Sequence, residues 1–155
     1  MKKKTYWEHG DLEKIAKQWH KLTGLHGRDE WSAAIVRAAT AAEIAANFAI
    51  RKEFESRSKF DTKFLDSLLL WANGLNGKMQ KLLLPLGEQE KEDNKFKGLS
   101  KIAKSINEKR NSIVHRGEFC NEKEATKLID DTKRFIETIV KLYEPTFELK
   151  SKKVI

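Results

Sequence analysis

An arginine, an asparagine and a histidine lie close together in the stretch RNSIVH, as Arg110, Asn111 and His115. Arginine is a permanent cation whose planar fork of donors matches phosphate oxygens. Histidine gains and loses a proton near neutral pH, which suits general acid–base catalysis. These residue types are candidates for such a site, although an arginine and a histidine at this spacing often arise by chance, so the spacing alone is weak evidence.

Helical geometry sets a condition on that site. On a helix spanning residues 99–115, Arg110 falls in the middle of an apolar stripe, where an unpaired cation is costly unless the stripe opens onto a cleft. His115 then lies about 140° round the helix from Arg110. Two arrangements would bring them together: unwinding of the helix near Gly117, or a second copy of the helix across a two-fold axis.

A structural reading of the same residues is also open. Arg110 would then be an interior residue that pairs with an acid on a facing helix, and His115 an ordinary surface histidine at a helix end. Both readings depend on which side chain lies opposite Arg110, so the helices that face α-helical residues 99–115 must supply that side chain.

The long second helix, expected at about residues 29–57, offers such side chains. Five polar residues fall within roughly 120° of its circumference, namely Arg37, Thr40, Glu43, Asn47 and Arg51. Such a stripe is either a solvent-facing strip or the lining of a cleft. If it lines a cleft, we expect Glu43 to pair with Arg110 and Asn47 to line the same cleft, both as supporting residues.

A 3.6-residue periodicity recurs along the chain, and it predicts an all-α fold. We expect an antiparallel bundle of four main helices plus short additional helices, with caps at Asp61 and Asn121 and a helix end at Gly117. A short helix is expected to stop before Pro85. The chain is predicted to be a single domain, residues 1–155, with a core of about 10–145 and a flexible tail over 146–155.

Charge and composition narrow the class of protein. The net charge of +8 and the pI of about 9.5 favour an anionic partner, most simply nucleic acid. The single cysteine, Cys120, cannot form an internal disulfide and indicates a reducing compartment. The apolar stretch 33–50 is interrupted by charged and polar residues, as in a core helix. We therefore expect a soluble cytoplasmic protein with no membrane contact.

Nothing in the sequence predicts a metal or a cofactor. His9, His20 and His26 lack a cysteine or a second histidine three or four residues away, whereas zinc needs three or four ligands at workable spacing. The sequence also lacks a glycine-rich phosphate loop.

The motif and its surroundings resemble the HEPN superfamily. RNSIVH is followed by a glycine turn and the amphipathic segment NEKEATKLIDDTKRFIETIVKLYEP, and HEPN ribonucleases carry an arginine, four to six intervening residues and then a histidine. The upstream LDSLLLWANGLNGKMQKLLLPL and the alanine-rich helix are also similar to bacterial HEPN-type chains. The likeness spans residues 31–145 as an architecture, and residues 110–115 as a functional motif. One toxin branch has a modifiable tyrosine where this chain has Gly117.

The resemblance implies a metal-independent endoribonuclease that acts as a homodimer on RNA through 2′-hydroxyl attack. Arg110 would stabilise the phosphate, His115 would transfer a proton or orient the hydroxyl, and Asn111 would orient His115 or the phosphate. A role as a toxin or in defence, with a neutralising protein partner, follows from the same resemblance. The alternative is a non-catalytic helical module that binds nucleic acid or protein, with Arg110 in a structural ion pair. An open, basic cleft that Arg110 and His115 share at a two-fold interface would favour catalysis, whereas an Arg110 sealed against Glu43 in the core, with His115 isolated, would favour binding.

Overall fold

The computed structural model describes residues 10–57, 61–89 and 96–150, and the regular secondary structure within them is helical. The elements are α1 (Asp11–Gly27), α2 (Trp31–Arg57), α3 (Thr62–Trp71), α4 (Gly74–Lys78), a π-helical segment (Met79–Leu83), α5 (Leu84–Gln89), α6 (Lys97–Arg116) and α7 (Glu122–Lys141). Because α4, the π-helical segment and α5 follow one another directly, they form one continuous helical stretch. The all-α prediction is confirmed, and the helices form a bundle.

Helix α2 is the centre of this bundle. It packs against α1, α4, α6, α7 and the π-helical segment. Its many alanines permit this, because the distance between packed helices depends on the size of the side chains at the contact. The buried alanines share one broad face, about 160° of the helix circumference: Ala34, Ala38, Ala39, Ala41, Ala42, Ala45, Ala46 and Ala49.

Helix α2 is also long and apolar enough to span a membrane, judged by length and composition alone, and it is the only such helix in the described part of the chain. The core helix of a soluble protein meets the same criterion. Most of the apolar window of α2 is buried by the rest of the protein. The packing of α2 thus agrees with the expected core helix.

Three predicted helix ends are confirmed. The side chain of Asp61 accepts a hydrogen bond from the backbone N–H of Phe64 at 2.8 Å and so caps α3. Asn121 caps α7 in the same way, by accepting from the N–H of Glu124 at 2.9 Å. Gly117 ends α6 with a φ of +64°, in the left-handed region that favours glycine. These local signals are fully contained in the sequence, because each involves residues at most a few positions apart.

Gly117→Ala should lower the free energy of unfolding by about 1–2 kcal/mol, the cost of placing a side chain in the left-handed region. No atom lies within 4 Å of a Cβ built there, so the cost is conformational and not a clash. Gly98→Ala is the matched control, since Gly98 also lies in α6 with free space around it but without a positive φ. Urea unfolding followed by circular dichroism compares the two. Equal losses in both variants would contradict the conformational explanation.

One predicted boundary was wrong. The helix expected to stop before Pro85 continues to Gln89, and Pro85 lies in it directly after the π-helical segment and Leu84. The tail expected from residue 146 is packed at its start: Leu149 is buried in the core and its N–H donates to the Glu137 carboxylate at 3.1 Å. Residues 151–155 lie outside the described residues.

Candidate functional site

A polar cavity of about 460 Å³ lies where α2, α4 and α6 pack against one another. This volume falls within the range of small-ligand sites in proteins. Its walls come from α2, from the start of α4 with the residue before it, and from the second half of α6. The lining residues are Ala39, Thr40, Glu43, Asn73, Gly74, Leu75, Asn76, Gly77, Asn107, Arg110, Asn111 and His115.

Helix α6 places Arg110, Asn111 and His115 around this one cavity. The helix remains regular through Arg116, so unwinding does not bring the motif residues together. On the helix surface Asn107 and Asn111 lie between Arg110 and His115, and the cavity covers the whole arc of about 140°. A single chain therefore brings the three motif residues to the same space.

The guanidinium of Arg110 has no carboxylate partner among residues 10–57, 61–89 and 96–150. Its Nη1 donates to Oδ1 of the neighbouring Asn111 at 3.2 Å, and the residue is half-buried. Because arginine has five N–H donors, most of them remain available to a ligand. His115 is exposed in the last turn of α6. The cavity thus combines a cation available to an anion with an accessible imidazole.

The predicted pair between Glu43 and Arg110 was wrong, although both residues line the cavity. The carboxylate of Glu43 accepts a hydrogen bond from Nζ of Lys78 on α4 at 2.7 Å. The side chain of Lys78 is only 5% exposed, whereas that of Glu43 is 35% exposed. A buried ammonium needs a counter-charge, and α4 packs on α2 so that Glu43 supplies it.

Glu43→Ala should therefore destabilise the protein by about 2–3 kcal/mol, because it leaves the buried ammonium of Lys78 without its partner. This lies below the cost of breaking a fully buried pair, since solvent screens the half-buried carboxylate. Thermal and urea unfolding measure the loss. The double variant Glu43→Leu with Lys78→Met should recover most of it, because both charges are removed. A double variant as unstable as the single one would contradict this explanation.

Asn47 does not take the predicted place in the cleft. It lies one turn beyond Glu43 on α2 and is not among the residues that line the cavity. Its Oδ1 is buried without a hydrogen-bond partner in the described structure. The polar stripe of α2 is divided between different neighbours: Arg37 donates to Gln18 on α1, while Arg51 pairs with Asp11 on α1 and Asp66 on α3.

The end of α6, which carries His115, is tied to the start of α7 by Lys109. Its Nζ lies 2.6 Å from the Glu124 carboxylate on α7 and 3.6 Å from that of Glu118 in the connecting loop. The hydrogen bond with Glu124 raises the pKa of Lys109 above its ordinary value, because it favours the protonated ammonium. An exposed pair of this kind contributes little free energy, but it fixes the loop that follows His115.

Sequence reasoning missed three further polar residues of the cavity, namely Asn73, Asn76 and Asn107. For Asn73 and Asn76 the available signal was the segment NGLNG, in which two asparagine–glycine pairs follow each other closely. Its contribution to the cavity depends on the packing of α4 against α6, which no local pattern specifies.

The described part of the chain contains no cluster of three or more histidine, cysteine, aspartate or glutamate side chains that could hold a metal ion. In the lining of the cavity, the groups of these types are the carboxylate of Glu43 and the imidazole of His115.

Comparison with known proteins does not assign this chain to a family. No protein-family model, curated protein or solved structure matches it. Any function given to the chain therefore rests on the cavity and the residues around it.

Proposed function

We propose that the chain is an endoribonuclease of the HEPN type that cleaves RNA without a metal ion. One observation carries the proposal: Arg110, with no carboxylate partner among the described residues, shares a cavity with the exposed imidazole of His115. Cleavage through the 2′-hydroxyl needs a fixed cation for the charge on phosphate and a group that transfers protons. The cavity provides both.

In this reaction the oxygen of a ribose 2′-hydroxyl attacks the adjacent phosphorus, and the bond from phosphorus to the 5′ oxygen breaks. One proton leaves the 2′-hydroxyl and one reaches the departing 5′ oxygen, and His115 carries out one of these transfers. Arg110 binds the non-bridging oxygens, whose charge grows in the transition state. Asn111 orients Arg110 through the hydrogen bond between them. The products are a 2′,3′-cyclic phosphate and a 5′-hydroxyl end.

The proposal includes a homodimer in which the two motifs face each other. In each chain the four main helices have the HEPN-like antiparallel arrangement. Exposed apolar side chains beside the motif support a partner surface. Val114 precedes His115 directly, and Phe119, four positions after it, is 90% exposed. A contiguous patch of exposed apolar groups is typical of a surface that another chain covers, and the proposal makes Val114 and Phe119 part of such a patch. A cytoplasmic location, a toxin or defence role and a neutralising partner belong to the same proposal.

The alternative is a module that binds nucleic acid without cleaving it. The net charge of +8 favours contact with RNA phosphates whether or not cleavage follows. With this function Arg110 is expected in a structural ion pair, and no described carboxylate pairs with that side chain. The two functions differ in whether bound RNA is cleaved. An assay of the reaction products therefore distinguishes them.

The deciding experiment is incubation of mixed-sequence RNA with the natural chain in EDTA, with analysis of the fragment ends. We expect 2′,3′-cyclic phosphate and 5′-hydroxyl ends. RNA of the same sequence with 2′-fluoro groups should remain intact, because it lacks the attacking hydroxyl. Binding without cleavage would favour the alternative, and cleavage only after addition of Mg²⁺ would contradict metal independence.

A further inference from the structure

A second concave site, which we call the basic pocket, lies between the end of α1 and the first half of α2. Its volume is about 380 Å³, and its lining includes Lys21 of α1, Arg28 of the connecting turn and Arg37 of α2. No aspartate or glutamate is among the described residues that line it. The walls of the basic pocket therefore bring together positive charge from two helices and the turn between them.

Arg37 is half-buried beside this pocket, and α1 holds its side chain in place. Its Nη1 donates a hydrogen bond to Oε1 of Gln18 at 3.1 Å, and Gln18 is only 6% exposed. Within residues 10–57, 61–89 and 96–150, no carboxylate pairs with Arg37. A half-buried guanidinium has lost part of its hydration, and a neutral amide does not balance its charge. Arg37 is thus a positioned cation that an anion from outside the chain can neutralise.

Lys21 and Arg28 add to the positive charge around Arg37. Lys21 is exposed on α1 and has no ion-pair partner in the described part of the chain. Arg28 pairs with Glu30 at 3.3 Å, but both side chains are more than half exposed, and such pairs contribute little free energy. The dipole of α1 favours cations only in its last turn, so it accounts for neither Lys21 nor Arg37.

The basic pocket lies next to the polar cavity that holds the motif. Arg37 and Thr40 are three positions apart on α2 and about 60° apart round the helix, so their side chains are neighbours on its surface. Arg37 lines the basic pocket, whereas Thr40 lines the polar cavity. About one turn of α2 therefore separates the two sites, a distance that an extended polyanion can span.

We propose that the basic pocket binds a backbone phosphate of the same RNA strand whose cleaved phosphate lies against Arg110. This rests on the proposed function in taking RNA as the partner of the chain. Phosphate oxygens accept hydrogen bonds from the fork of an arginine and from the ammonium of a lysine, and these contacts hold the strand without reading its bases. The contact adds affinity and fixes the position of a nucleotide outside the cleaved linkage.

The test is the affinity of a short fluorescent 2′-fluoro RNA of mixed sequence for the natural chain and its variants, over a series of salt concentrations. Because this strand lacks the attacking hydroxyl, the measurement reports binding independently of cleavage. Each phosphate contact contributes about 0.7 to the slope of log affinity against log salt for a single strand. Arg37→Ala and Lys21→Ala should each lower the slope by about 0.7, which corresponds to about fivefold weaker binding at about 0.1 M salt.

Lys101→Ala is the matched control. Lys101 is an exposed lysine of α6 that has no ion-pair partner among the described residues and lines neither the polar cavity nor the basic pocket. Its substitution removes the same charge and should leave the salt slope unchanged. Unfolding midpoints show that each variant is folded, and the exposed Lys21 decides the result if Arg37→Ala does not fold.

Several results would overturn the inference: a natural salt slope in both pocket variants, an equal loss in Lys101→Ala, or no binding of RNA by the natural chain. Inorganic triphosphate distinguishes RNA from a free phosphate ligand. Triphosphate binding that depends on Arg37, together with a natural RNA slope in Arg37→Ala, would assign the basic pocket to a free ligand and overturn the inference as well. Failure of the proposed function is seen separately, as natural RNA that is bound but remains intact in the EDTA assay.

Discussion

Arg110→Ala should reduce the rate of RNA cleavage by about 10³-fold, as the loss of an arginine that stabilises phosphoryl transfer does elsewhere. The guanidinium lines the cavity and its one hydrogen bond within the described structure goes to Asn111, which leaves its other donors without a partner there. Initial rates on a defined RNA in EDTA give the effect. An unfolding curve recorded in parallel shows that the variant has kept its fold.

Two further substitutions serve as comparisons for Arg110→Ala. Arg110→Lys retains the charge but lacks the planar fork, so it should restore only part of the rate. Arg134→Ala removes an exposed arginine on α7, 72% exposed and outside the cavity, and should leave the rate unchanged. If Arg110→Ala cleaves as fast as Arg134→Ala, Arg110 takes no part in the reaction.

His115→Ala should lower the rate by about 10²- to 10⁴-fold, the usual effect of removing a proton-transfer group. Its affinity for 2′-fluoro RNA should change little, because in this mechanism the imidazole moves a proton and does not hold the phosphate. The free energy of unfolding should stay within about 0.5 kcal/mol of the natural value. The side chain is exposed and makes no hydrogen bond or ion pair within the described residues.

His20→Ala serves as the comparison for His115, since it removes an exposed imidazole of α1 that does not line the cavity. This variant should cleave RNA at the natural rate. A loss of affinity in His115→Ala as large as its loss of rate would assign His115 to binding and remove it from proton transfer.

Local sequence signals predicted most of the helical framework. Asp61 and Asn121 lie three residues before the N–H groups that they cap, and Gly117 ends α6 through its own backbone conformation. The alanine-rich composition of α2 predicted its place in the core. Such features depend on neighbours within about one helical turn, so no tertiary information is needed to find them.

The motif residues were also found from sequence, but their relation to each other was not. Ideal helical geometry separates Arg110 from His115 by about 140°, and that angle holds because α6 remains helical. They share a site because a cavity wide enough to cover the whole arc lies over α6. That cavity exists only because α2 and the start of α4 pack beside α6.

The sequence by itself determined the all-α class, several helix ends and the candidate motif from Arg110 to His115. Tertiary structure alone decided that Glu43 pairs with Lys78, 35 residues away, and not with Arg110. It also decided that Asn73, Asn76 and Asn107 line the cavity while Asn47 does not. The physical reason is range: helix formation is set by neighbours along the chain, whereas the partner of a charge or an amide is set by which helices pack together.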